Sequence, residues 1–134
     1  PLALIPSEKP WSRRSSALRR YHMSEEIERP LTFIRDNAQK FAQAKSDRVY
    51  LEQFRKSKKA MLFIQAEKHG VKTVAEREAW AYAHPEYLQV LEGLQVAVEL
   101  EEKLRLLIEA AKLKINLYQT RQADSRAERK AYGA

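Results

Sequence analysis

Cysteine is absent from the 134 residues, so no disulfide framework or thiolate metal site can form. A reducing, intracellular setting is the expectation that follows. Glycine occurs three times, at 70, 93 and 133, too sparsely for a phosphate-cradling or dinucleotide-binding loop. Five prolines add few turn formers, which argues against a sandwich or barrel. No apolar run approaches the roughly 20 residues a membrane span requires, so no membrane partner is expected. The three histidines, His22, His69 and His84, form no Glu-x-x-His repeat of the kind that builds a di-metal bundle. No metal and no cofactor is expected, and no catalytic residue is assigned. The carboxylates Glu92, Glu99, Glu101, Glu102 and Glu109 fit a solvated helix face better than a paired acid and base.

What remains is helix-forming material. Apolar residues make up 44% and charged residues 32% of the chain, with a net charge of +7. Residues 1–22 carry five bases against Glu8 alone and hold three of the five prolines. They read as a basic N-terminal arm, either native or a disordered leader foreign to a natural chain starting at Met23. Residues 23–134 read as a single helical domain. Ser24 can cap a helix whose first turn holds Glu25 and Glu26, and Ile27, Leu31, Ile34, Ala38 and Phe41 recur at helical spacing. Pro30 suits a helix start or a kink, so this helix is expected to begin near Glu28, or bend there, and to run toward Lys45. Ser46-Asp47 then offers a break, followed by a second helix to His69 with Tyr50, Leu51, Phe54, Met61, Leu62 and Gln65 on one face.

Gly70 ends that helix, and Thr73-Val74-Ala75-Glu76 is a capping box opening a short one over Val74–Ala83. His84-Pro85 interrupts it, because the residue before a proline is pushed out of helical geometry. From Glu86 to Gly133 only Gly93 weakens the pattern, which predicts about 45 helical residues. Gly93 invites close approach by another helix, with the Trp80 region as the expected neighbour. Trp80, Tyr82, His84 and Tyr87 read as the packed corner of a hairpin, with stacking on unpaired bases as the less favoured use.

Along the last helix, Tyr87, Leu94, Glu101, Ile108 and Ile115 fall seven apart, as do Val90, Ala97, Leu104, Ala111 and Tyr118. Glu101 is polar within this series and either sets register or lies exposed. Leu100, Leu106, Leu107, Leu113 and Leu117 lie off the series, more apolar surface than a lone hairpin buries. The expected fold is all-α, a helical hairpin or small bundle around one long C-terminal helix. It is expected to be oligomeric, with a dimer favoured, through coiled-coil-like packing at Leu94, Leu104, Leu106, Ile108, Leu113 and Ile115.

Arg55-Lys56-Ser57-Lys58-Lys59, with Lys45 and Arg48 upstream, could contact phosphates and release counterions, so nucleic acid is a candidate partner through these six cations. The stretch Ala66-Glu67-Lys68-His69-Gly70-Val71-Lys72-Thr73, with Ala83-His84-Pro85-Glu86-Tyr87 and Leu91-Glu92-Gly93-Leu94, resembles small uncharacterised proteins of tailed bacteriophages and prophages. The resemblance covers a little over half the chain, from Ser57 to Tyr132. It implies a bacterial cytoplasm during phage growth and a neighbourhood of replication or recombination, and it supplies no catalytic motif. The leading expectation is therefore a non-catalytic accessory protein acting on or near nucleic acid. The alternative is an oligomeric helical adaptor that binds a phage or host protein, or another copy of itself, through an apolar stripe including Leu106, Leu113 and Leu117.

Overall fold

The computed structural model describes the backbone from residue 10 to residue 133 and the side chains from residue 25 onward. It contains α1 (Pro10–Lys68), α2 (Val74–Ala83) and α3 (Pro85–Gly133), with no strand among the described residues. The all-α class and the long last helix, 49 residues, agree with the sequence reading.

The first half does not. α1 is one helix of 59 residues, so the chain has two long helices. Its backbone is already helical from Pro10, well before Glu28, and it passes through Ser46-Asp47 unbroken. Asp47 threatened the helix because a short polar side chain can compete for backbone groups. Here its Oδ1 accepts from Gln43 Nε2 at 2.8 Å, one turn earlier, leaving the backbone ladder alone. Arg48 and Glu52 pair at the same spacing and Tyr50 stacks on Phe54 with ring centroids 5.8 Å apart, so three side-chain contacts carry the helix across the expected break.

α1 stops where the sequence placed the stop. Gly70 has φ of +85°, its N–H donates to the Glu67 carbonyl at 3.1 Å, and the Val71 N–H donates to the Ala66 carbonyl at 3.1 Å. These two bonds constitute a Schellman motif, which satisfies the last carbonyls of α1. Thr73 caps α2, its Oγ1 accepting from the Glu76 N–H at 3.2 Å. His84 then leaves helical geometry with ψ of 135°, and Pro85 opens α3. The His84 Nδ1 accepts from the Glu86 N–H at 3.1 Å, supplying a side-chain cap for the helix that the proline begins.

Contacts divide the described residues into two compact units, Asp36–Leu107 and a second formed by residues before Asp36 with those after Leu107. In the unit over Asp36–Leu107, Leu62, Ala81 and Tyr87 are buried together, with Trp80 and Leu91 packed against them. α1 and α3 run antiparallel there, since Arg48 meets Glu101 while the later Lys58 meets the earlier Glu86. Buried and half-buried positions alternate by three and four on α3: Tyr87, Val90, Leu94, Ala97, Glu101 and Leu104. α1 shows the same alternation at Phe41, Ala44, Arg48, Leu51, Arg55, Lys58 and Leu62. In the other unit Pro30, Ile108 and Ala111 are buried, and a cleft of about 250 Å³ is lined by Pro30, Leu117 and Tyr118 with Glu25, Glu26, Arg29, Lys114 and Arg121.

Candidate interaction surface

Three of the six cations expected to contact phosphate have carboxylate partners within the chain. Arg48 makes a very short contact with Glu101 Oε2, a second bond to Glu101 Oε1 at 3.2 Å, and one to Glu52 Oε1 at 3.0 Å. Only 25% of its side chain and 11% of the Glu101 side chain are exposed. The hydrogen bonds to Glu101 and then Glu52 raise the Arg48 pKa further above its already high ordinary value, so the guanidinium is permanently charged. Glu101 is thus buried against Arg48 and is not an exposed seam position.

Lys58 Nζ lies 2.6 Å from Glu86 Oε2, and this hydrogen bond holds the Glu86 carboxyl below its usual range. Lys59 Nζ lies 3.7 Å from Glu78 Oε1 and 4.5 Å from the centre of the Tyr82 ring. The hydrogen bond with Tyr82 pushes its ammonium pKa up. Arg55 is half-buried on the stripe facing α3, while Lys45 and Lys56 are exposed. At 100° per residue these six positions spread over nearly half the circumference of α1, so they do not share one solvent face. The sequence reading missed that Arg48, Arg55 and Lys58 occupy heptad positions, because a stripe is sought among apolar residues. The signal was their spacing of seven and three from one another, in phase with Phe41, Ala44, Leu51 and Leu62.

The aromatic corner is packed. Trp80 lies between His69 and His84, with centroids 5.6 and 5.0 Å away, and Tyr82 meets Tyr87 edge-on at 5.3 Å. These contacts join the end of α1, α2 and the start of α3, which leaves little of Trp80 free to stack on a base. Among the described residues no three His, Asp or Glu side chains group as a metal site, and no helix is long and apolar enough to cross a membrane.

The chain matches no family model, no curated protein and no solved structure.

Of the six residues expected at an oligomer interface, Leu104 and Ile108 are buried and Leu94 and Ile115 half-buried within the chain itself. These four are covered wholly or in part by this chain's own fold and so offer a partner less surface than Leu106 and Leu113 do. Leu106 and Leu113 are 55% and 66% exposed, and Leu117 is exposed as well. Further apolar side chains are exposed in the unit over Asp36–Leu107, among them Tyr50, Met61, Ile64, Val96, Leu100 and Leu107. α2 explains why they remain so. It packs on the flank of α1 carrying Lys59 and Phe63, through Glu78 and Tyr82 on Lys59 and Arg77 on the Phe63 ring, while its Trp80 packs against the cluster of Leu62, Ala81 and Tyr87. Met61 lies 200° around α1 from Lys59, on the flank that α2 does not reach.

Proposed function

We propose that this protein is a non-catalytic helical adaptor whose exposed apolar side chains dock protein, in the cytoplasm of a bacterial cell that carries a phage or prophage. The observation that carries this reading is the exposed apolar side chains of the unit over Asp36–Leu107, foremost Val96, 65% exposed, and Tyr50, 64% exposed, which α2, packed on the Lys59 and Phe63 side of α1, does not cover. Contiguous exposed apolar surface rimmed by polar residues marks an interaction site. Electrostatics favour the same reading. All six candidate phosphate contacts lie in this unit, which holds twelve bases and eleven acids and is close to neutral.

A nucleic-acid role through Lys45, Arg48, Arg55, Lys56, Lys58 and Lys59 would require Arg48, Lys58 and Lys59 to exchange carboxylates for phosphates. Titration of labelled single-stranded and double-stranded DNA with the full chain separates the two readings. The adaptor reading expects no salt-sensitive binding that depends on the α1 cations. Tight binding at low salt that weakens steeply with added salt, and disappears when Arg55, Lys56, Lys58 and Lys59 are all replaced by Ala, would overturn it.

A further inference from the structure

We infer that the uncovered flank is occupied by a second copy of this chain, with α3 crossing α3 of the copy antiparallel about a two-fold axis between Gly93 and Val96. This rests on the adaptor reading and names its partner. Glu86, Gln89, Gly93, Val96, Leu100 and Lys103 follow one another at three and four residues, so they form a single stripe along α3, about 100° wide and beside the buried one. Val96 and Leu100 are exposed on it, and Lys103 is exposed at its end.

Two independent features make the stripe self-complementary, which a two-fold interface requires. The first is charge. Glu86 and Lys103 are 17 residues apart, equally far from the midpoint between Gly93 and Val96. An antiparallel two-fold there brings each Glu86 to Lys103 of the copy and each Gly93 to Val96 of the copy. Within one chain Glu86 and Lys103 are separated by about 25 Å of helix and cannot meet. Glu86 keeps Lys58, since its second oxygen is available to a further donor.

The second is Gly93 itself. A methyl group built there would meet only Leu51 Cδ1, at 3.8 Å, an ordinary contact. Packing inside the chain therefore does not demand glycine, although glycine weakens a helix by up to about 1 kcal/mol relative to alanine. A helix crossing from outside uses the missing side chain, as a hollow for Val96 of the copy. The crossing lies in the nearly balanced unit, so the charge of this unit adds little to the repulsion between two copies of a chain of net charge +7.

The test is sedimentation equilibrium of the full chain and five variants, with thermal unfolding monitored to verify that each variant is folded. The wild type should be a dimer, and Glu86→Lys and Lys103→Glu should each weaken it about ten-fold, two symmetric pairs contributing a few-fold apiece. The combined E86K/K103E chain should bind itself more tightly than either single variant, although Lys58 then faces a lysine in place of Glu86, a rescue that only an intermolecular pairing can give. Gly93→Leu should weaken the dimer while remaining folded, and Gly93→Ala should raise Tm while loosening association. A wild type that is monomeric at all concentrations would overturn the inference, as would a dimer indifferent to these charges and to Gly93. Neither result touches the adaptor reading, which is tested separately by DNA binding through the α1 cations.

Discussion

Arg48 and Glu101 show how a charged pair inside an apolar stripe behaves as a fitting of the fold. Both sit at heptad positions that would otherwise take leucine, and their mutual contact fixes which turn of α1 faces which turn of α3 in this unit. Replacing one partner strands the other charge, so Glu101→Leu should destabilise the protein markedly in thermal unfolding. Replacing both with apolar residues of similar volume, as R48M/E101L, should recover most of the loss or exceed it, since the desolvation cost of both ions disappears. A double variant no more stable than E101L alone would contradict that account. Lys58 and Glu86 give a pH signature. The Glu86 carboxyl is lowered by Lys58, so its contribution to stability is present above the unfolded value near 4.5 and is lost as pH falls toward the folded value. Lys58→Met should therefore be less stable than the wild type at neutral pH, and the two should converge in acid. Curves that stay parallel from neutral pH into acid would exclude the pair as the cause.

At the scale of elements, the punctuation between helices was the most legible part of the chain. Gly70, Thr73, His84 and Pro85 each impose a local backbone requirement that needs no knowledge of the rest of the fold, and each sits where that requirement is met. Gly70→Ala should cost about 1–2 kcal/mol in denaturant unfolding, because φ of +85° places a Cβ against the following carbonyl. The unbroken course of α1 was not legible. Ser46-Asp47 looks like a stop because the residue type is judged alone, whereas the contact from Gln43 and the neighbouring Arg48 to Glu52 pair decide the outcome. The cations of α1 misled for a related reason. Lysine and arginine stems cover apolar surface while their heads seek a carboxylate, so a run of them is compatible with a packed stripe once Glu78, Glu86 and Glu101 are brought opposite.

For the whole molecule, the net charge of +7 describes the unit over Asp36–Leu107 poorly, since that unit is nearly balanced. A functional class inferred from total charge therefore misses where the charges stand. Leu106 and Leu113 are exposed and make no contribution to a core, so Leu106→Lys with Leu113→Lys should shift stability by no more than about 0.5 kcal/mol in denaturant unfolding. A large loss would place both side chains in a core and remove them from any docking surface. Sequence spacing on α3 shows that a face is buried without saying by which chain. Four of the six expected interface residues are covered by this chain's own fold.

The central claim is that Lys58 and Lys59 are committed to carboxylates of the same chain and are not presented to a polyanion. Residue-resolved acylation of lysines in the native protein, followed by mass spectrometry, tests it most directly. Exposed Lys45 and Lys56 should react fast, and Lys58 and Lys59, with 20% and 33% of their side chains exposed and their ammonium groups paired, should lag well behind. Four equal rates would mean that the cations of α1 are free, and the nucleic-acid reading would then take precedence over the adaptor.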